Sequence, residues 1–202
     1  MQIRHLKQII PQGDSSKAIT GMAWSPDNQK LAVVSSDRTV SLFDDSGERK
    51  DKFTVKQPEN TAMHNCVLLC FSPDSAKLAV SIENIVYIYK IGNVWGDKKS
   101  ICNKFVQSAE VSFLIWPQVA LVFGLSDGKV RAANLKTNKA ATLYQLESPA
   151  ISCSTNNSNT SVCCGHLDGS LQLFSFDDSG PQVFKINLHR EKLSLIHVYL
   201  KS

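Results

Sequence analysis

The chain has 202 residues, of which 43% are hydrophobic and 20% charged, with only 10 glycines and 7 prolines. This balance excludes collagen-like, low-complexity and broadly disordered proteins, because enough apolar surface is present to offset the chain entropy lost on folding. The net charge of +4 is too small to indicate a nucleic-acid-binding protein. The longest apolar run, from Val119 to Leu125, is too short to cross a bilayer.

The first residues predict no secretory signal. The charged segment from Met1 to Lys7 is not followed by an apolar stretch of signal-peptide length, and Pro11 ends the short pair Ile9-Ile10. We therefore expect a cytoplasmic chain. The cysteines are consistent with a cytoplasmic chain, since they form no CxxC pair and no zinc-ligand spacing with histidine. They are expected to be small buried hydrophobes on strands. Their positions are Cys66, Cys70, Cys102, Cys153, Cys163 and Cys164.

Four segments of the chain repeat one pattern. Each contains a first strand, a turn, a short apolar run, a tight second turn and a strand that alternates apolar and polar residues. The second turns recur with a period of about 40 to 45 residues, which is typical of four-stranded propeller blades. The residues that mark them are Asp37, Asn84, Asp127 and Asp168.

The first strands of the first three segments end in aromatic residues, at Trp24, Phe71 and Trp116. Ser-Pro-Asp follows at 25–27 and again at 72–74. Proline presets φ for a turn and aspartate bonds the turn backbone, so these sites predict chain reversals between strands.

The second turns are expected to be two-residue hairpins. Asp127-Gly128 and Asp168-Gly169 are the preferred residues, because positive φ is needed there. Asp37-Arg38 and Asn84-Ile85 take the same place less ideally. We predict that Asp37, Asn84, Asp127 and Asp168 are structural turn residues. No segment predicts a helix of useful length, so the fold class is all-β, with α+β as the alternative.

The repeat resembles the WD40 pattern in degraded form. Most repeats lack the opening Gly-His and the closing Trp-Asp of that family. Phe43-Asp44 is the nearest match to Trp-Asp, and Gly165-His166 lies before a turn, where the family does not have its Gly-His. The resemblance implies β-propeller blades without the hydrogen-bonded His–Asp–Ser–Trp network of orthodox repeats.

The length predicts an incomplete propeller. Residues 1–180 hold about four WD40 repeats, where propellers of this kind commonly have seven or so. We expect a partial, unclosed propeller whose first strand, Gln2 to Ile10, has no last blade to join. Residues 181–202 are predicted to be a divergent tail outside the repeats.

Residues 1–180 resemble the amino-terminal WD40 region of the intraflagellar transport protein 172 family, in truncated form, and the resemblance fails after Gly180. Members of this family are large complex B subunits. The stretch Trp95–Phe105 carries the most weight, since no propeller requires that sequence. The other matching stretches include Met22–Ser25, Gly47–Phe53, Phe71–Ser75, Ile85–Gly92 and Gly128–Arg131.

The resemblance implies a non-enzymatic scaffold that acts through protein–protein interactions in cilium assembly and maintenance, and indirectly in Hedgehog signalling. Its partners would be other complex B subunits, and its location the cytoplasm, the cilium and the ciliary basal body. The alternatives are a generic WD40 adaptor in membrane traffic, a substrate receptor, or a non-functional truncated isoform.

Candidate chemistry is sparse. Gly124–Val130 looks faintly like a phosphate loop, but it has one residue too few between its glycines and Val130 where serine or threonine belongs. The five histidines have no ligand spacing and are expected on the surface or in turns. We therefore predict no catalytic, cofactor-binding or metal site, no small-molecule substrate and no nucleic acid.

Basic residues cluster in predicted loops between blades. Lys50, Lys52, Lys98 and Lys99 are expected to be solvated. A sharper hypothesis is that they contact acidic partners or a peripheral anionic membrane surface.

Overall fold

Sixteen β-strands account for the regular structure in the part of the chain that the computed structural model describes. The described residues are 5, 7–10, 17–56, 67–92 and 94–176, together with the backbone of 177 and of 180–187. The described residues form no helix, and so they contain no helix that is long and apolar enough to cross a membrane.

The strands form four antiparallel sheets, each made of four strands that are consecutive in the chain. We call the sheets blades 1 to 4. Blade 1 consists of β1 (Ile19–Trp24), β2 (Leu31–Ser35), β3 (Thr39–Phe43) and β4 (Arg49–Thr54). Blade 2 consists of β5 (Val67–Phe71), β6 (Lys77–Ile82), β7 (Ile85–Lys90) and β8 (Ser100–Val106). Blade 3 consists of β9 (Val111–Ile115), β10 (Leu121–Leu125), β11 (Lys129–Asn134) and β12 (Lys139–Gln145). Blade 4 consists of β13 (Ala150–Thr155), β14 (Ser161–His166), β15 (Ser170–Asp177) and β16 (Gly180–Asn187).

Burial follows position within the blade. The second strands, β6 and β10, are buried along almost their whole length, because a strand lies on each side and a blade packs on each face. The outer strands β4 and β12 have one neighbour only and stay largely exposed. This explains the near-continuous apolar runs such as 121–125 without any membrane segment.

Each of blades 2, 3 and 4 packs one face on the blade before it. Val34 and Leu42 of blade 1 meet Val80 and Tyr87 of blade 2 in the first apolar cluster. Equivalent clusters join blade 2 to blade 3 and blade 3 to blade 4. The first strands β1, β5, β9 and β13 contact one another in that order, so the blades follow the chain around one axis.

The ring of described blades is open, and the predicted fold class, a partial all-β propeller of four WD40-type blades, is confirmed. On the outer face of blade 1, Met22 is 68% and Trp24 is 51% exposed. Both lie across from Leu31 or Val33 on the neighbouring strand. Ile10 packs against Leu31, Val33 and Phe43 on that face, and no preceding blade covers it among the described residues.

The ends of the repeat differ in detail from the expectation. β16 pairs with β15 from Gly180 to Asn187, so blade 4 runs past residue 180, the predicted end of the repeats. An outer strand has only one partner and therefore carries a weak sequence pattern. Residues 188–202 lie outside the described residues, and the division into repeats and tail stays a prediction. Of the predicted strand Gln2 to Ile10, residues 5 and 7–10 are described and are not in a strand.

Candidate functional site

Three predicted turn aspartates share one geometry. In each turn the carbonyl two residues before the aspartate accepts a hydrogen bond from the residue after it, at 2.8 to 3.0 Å. Positive φ occurs only at that following residue, with values of 65° at Arg38, 82° at Gly128 and 87° at Gly169. The turns are therefore longer than the two-residue hairpins that the Asp-Gly pairs predicted. A turn followed by one left-handed residue satisfies the strand twist while aspartate keeps negative φ.

The carboxylates of these aspartates hold the turns from within. Asp37 accepts hydrogen bonds from the Ser35 hydroxyl at 2.5 Å and from the amide and hydroxyl of Thr39. Asp168 accepts from the amide and hydroxyl of Ser170 at 2.9 and 2.7 Å. Asp127 accepts from Lys129. In all three turns the carboxylate is therefore occupied by hydrogen bonds from neighbouring residues of the same chain.

The turn of blade 2 is different. Ile82 pairs with Ile85, so the two loop residues are Glu83 and Asn84, and Glu83 has the positive φ of 51°. The expected pair Asn84-Ile85 was placed one residue too late, because Ile85 is the first residue of the buried strand β7. Asn84 donates its side-chain amide to the Gln107 carbonyl at 2.9 Å and so ties the turn to the end of β8.

Hydrogen bonding lowers the pKa of these carboxyls. The Lys17 ammonium and the Ser35 hydroxyl hold the pKa of Asp37 well below its ordinary value. Hydrogen bonds from Ser170 lower the pKa of Asp168. Burial opposes ionisation of Asp127, but the contacts with Lys129 outweigh it and the pKa is lowered there too. All three groups are anions at neutral pH.

The Ser-Pro-Asp turns are built in the same way. The Ser25 hydroxyl donates to Asp27 at 2.5 Å and accepts from the Lys30 amide at 2.9 Å. Ser72 and Asp74 repeat this arrangement in blade 2. Blade 4 lacks the motif, and the Asn156 carboxamide oxygen takes over by accepting from the amides at 160 and 161.

The four lysines of the predicted contact surface lie in different surroundings. Lys50 is paired with Glu48 at 2.5 Å and with Asp44 at 3.2 Å. Lys52 and Lys98 are exposed. Lys99 is buried in an ion pair with Asp51, as described next. Contact with acidic partners or membrane stays a prediction, and Lys52 and Lys98 are the members open to solvent.

The Lys99 ammonium lies 2.7 Å from the Asp51 carboxylate, and the two side chains are 5% and 16% exposed. This ion pair joins the loop before β8 in blade 2 to β4 in blade 1. Burial opposes ionisation of Asp51, but its contact with Lys99 outweighs this and lowers the pKa of Asp51. Lys99 is therefore a structural link between two blades.

One histidine departs from the expected surface or turn position. His166, at the end of β14, is fully buried. Its Nδ1 lies 2.8 Å from the Ser148 carbonyl, which only accepts, so Nδ1 donates. Its Nε2 lies 3.0 Å from the Tyr144 hydroxyl, within hydrogen-bond distance. His5 is exposed, and the other three histidines lie outside the described residues. The other blades have Ser35, Ile82 and Leu125 at the equivalent position, so the repeat pattern gave no signal that a histidine there would be buried.

Most described cysteines are buried or half-buried and free, as expected, but Cys102 is exposed. Burial raises the pKa of the Cys70 thiol to about 12 and also raises that of Cys164. Such thiols are poor nucleophiles at neutral pH. The described residues contain no group of three or more potential metal ligands. Cys66 lies outside them.

The four sheets, their order and their aspartate-held turns define the class: these are WD40-type blades of an open β-propeller. In agreement, the family described as "WD domain, G-beta repeat" matches residues 6–44. More narrowly, the chain is 45% identical over 185 residues to the Intraflagellar transport protein 172 homolog of Mus musculus. It is 41% identical over 186 residues to Intraflagellar transport protein 172 of Chlamydomonas reinhardtii.

A third relative, Intraflagellar transport protein osm-1 of Caenorhabditis elegans, is 38% identical and covers 87% of this chain. The predicted resemblance to the amino-terminal WD40 region of intraflagellar transport protein 172 is confirmed. The mouse match covers 89% of this chain but 11% of the relative, so the chain spans about a tenth of the length of the curated relatives it matches.

Proposed function

We propose that the chain is a non-enzymatic scaffold of intraflagellar transport that works through protein–protein contacts. The observation that carries the proposal is the 45% identity over 89% of the chain to the mouse intraflagellar transport protein 172 homolog. The commitment of Asp37, Asp127 and Asp168 to turn hydrogen bonds supports a structural rather than a catalytic use of these carboxylates.

The finer proposal names complex B subunits as partners and the cilium, its basal body and the cytoplasm as locations. Roles in cilium assembly and maintenance, and indirectly in Hedgehog signalling, follow from the same proposal. Peripheral membrane contact through Lys52 and Lys98 is a further part of it.

Co-purification from ciliated cells tests this function. A tagged 202-residue chain is expected to recover intraflagellar transport subunits and to concentrate at the basal body or axoneme. A matched control is Gly128→Val, because a Cβ at Gly128 would lie 2.0 Å from the Leu146 carbonyl oxygen and disrupt blade 3. Recovery of chaperones alone, or a Golgi or diffuse signal, would contradict the proposal and favour an inactive product or a generic adaptor.

A further inference from the structure

One position of the blade repeat is aromatic in three blades and alanine in blade 3. It is the residue on the third strand that lies across from the start of the second strand. The cross-strand pairs are Phe43 with Leu31, Tyr89 with Leu78, Phe174 with Val162 and Ala133 with Leu121.

The aromatic rings fill the space at this end of their blades. Phe43, Tyr89 and Phe174 are at most 4% exposed. In blade 3 the same place holds only the methyl group of Ala133, which is itself 2% exposed, and a cleft of about 650 Å³ lined in part by Ala133 lies beside it between blades 2 and 3. Ala120 also lines this cleft, and its small side chain leaves room there.

The walls of this cavity, which we call the Ala133 cleft, are apolar and held in place. Trp116 and Leu135 of blade 3 face Pro73 of blade 2. The Asn103 side chain of blade 2 donates to the Leu135 carbonyl at 2.9 Å and fixes that wall. The Asn134 carboxamide accepts from the amide of residue 136 at 3.0 Å, which shapes the turn beside it. A preformed apolar cleft loses little entropy when it is filled.

The rim of the cleft carries excess positive charge. Lys77 and Lys136 both line it. The one carboxylate on the rim, Asp74, is occupied by the Ser72 hydroxyl, the amide of residue 76 and the Lys77 ammonium at 3.5 Å. Lys136 is exposed and has no counter-ion among the described residues. The rim is therefore complementary to acidic groups.

We propose that the Ala133 cleft binds an aromatic side chain of a partner polypeptide, flanked by acidic residues. Three blades supply a ring at this position from their own third strand, and in blade 3 the cleft beside Ala133 is open to a ring from another chain. The basic rim selects the acidic neighbours of that ring. The inference rests on the comparison between blades and is independent of the proposed transport function.

A short probe peptide tests the proposal. Acetyl-Glu-Asp-Phe-Asp-Glu-amide is titrated into the 202-residue chain and followed by NMR at the Trp116 indole N–H, with the phenylalanine replaced by alanine in a matched peptide. We expect at least tenfold weaker binding of the alanine peptide. We also expect at least tenfold weaker binding of the original peptide to Ala133→Phe, which fills the cleft with the ring that the other blades carry.

The control for this substitution is Ala18→Phe, which places the same ring on an exposed site of blade 1 and should leave binding unchanged. A second comparison tests the charge of the rim. The double variant Lys77→Glu, Lys136→Glu changes the rim, and the double variant Lys52→Glu, Lys98→Glu changes two exposed lysines away from the cleft. Only the rim variant should weaken binding of the original peptide, by about fivefold or more. This comparison keeps the proposal testable if Ala133→Phe does not fold. Equal binding by folded Ala133→Phe, equal binding of a peptide with lysine flanks, or no binding at millimolar concentration would overturn the proposal.

Discussion

The Tyr144 hydroxyl lies 3.0 Å from Nε2 of the fully buried His166, and this contact joins β12 of blade 3 to β14 of blade 4. The two rings also stack obliquely, with centroids 5.6 Å apart. Burial raises the pKa of Tyr144, so its hydroxyl stays protonated at neutral pH.

Tyr144→Phe is expected to destabilise the chain by about 1–3 kcal/mol, because it removes a buried hydroxyl that hydrogen-bonds the His166 ring. Urea denaturation followed by circular dichroism measures the loss. The control is Thr142→Ala, which changes an exposed residue on the same strand. Equal stability of the Tyr144→Phe variant and the native chain would show that the contact contributes nothing.

Lys99→Met is expected to cost about 3–5 kcal/mol, because it leaves the Asp51 carboxylate without its partner at the junction of blades 1 and 2. The second variant Asp51→Asn, combined with Lys99→Met, should recover much of that loss. The control Lys98→Met changes an exposed neighbour. A loss of the same size in Lys98→Met would contradict the assigned role of the ion pair.

The stability of the chain is expected to fall in acid. The folded-state pKa values of Asp37 and Asp168 are lowered by hydrogen bonds, and that of Asp44 is lowered to about 2, chiefly by the Ser46 hydroxyl. Groups with depressed folded-state pKa values contribute stability above the unfolded value near about 4, and this contribution is lost as the pH falls through the folded values.

The melting temperature should therefore be level from pH 7 to about 5 and decline between about 4 and 2. Asp37→Asn should lower stability by about 1 kcal/mol at pH 7 and should flatten part of the acid decline. A melting temperature that rises on acidification, or an unaltered slope in Asp37→Asn, would contradict the role of the turn carboxylates.

Two glycines with positive φ should respond differently to substitution. Gly128 and Gly96 have φ of 82° and 86°, but a Cβ at Gly128 would meet the Leu146 carbonyl oxygen at 2.0 Å, whereas nothing lies within 4 Å at Gly96. Gly96→Ala is expected to cost about 1 kcal/mol from backbone strain alone. Gly128→Ala is expected to cost several times more, or to prevent folding. Equal melting temperatures of the two variants would contradict the close approach at Gly128.

Much of the fold was predictable because blade repeats impose local signals. The Ser-Pro-Asp motifs at 25–27 and 72–74 form the expected turns, and the 40-residue period follows from four short strands per blade. Local chemistry also indicated the turn aspartates. The exact turn geometry was not predictable, because Asp37 followed by Arg38 is compatible with several loop lengths.

The features that depend on contacts between blades could not be predicted from the sequence. His166 is buried only because Tyr144 and the Ser148 carbonyl satisfy its ring from blade 3. The Ala133 cleft becomes visible only once strand register places Ala133 at the position of Phe43 and Tyr89. Lys99 was expected to be a solvated loop residue, because its ion-pair partner Asp51 is far from it in sequence.

The central claim is that four WD40-type blades form a propeller that does not close. Trp24 reports on it directly, because the outer face of blade 1 would be covered by a preceding blade in a closed ring. Acrylamide quenching of a Trp95→Phe, Trp116→Phe variant isolates the Trp24 fluorescence. The account predicts ready quenching of this half-exposed indole, which is 51% exposed, at concentrations where the chain is monomeric. A shielded Trp24 that resists quenching in the monomer would contradict it.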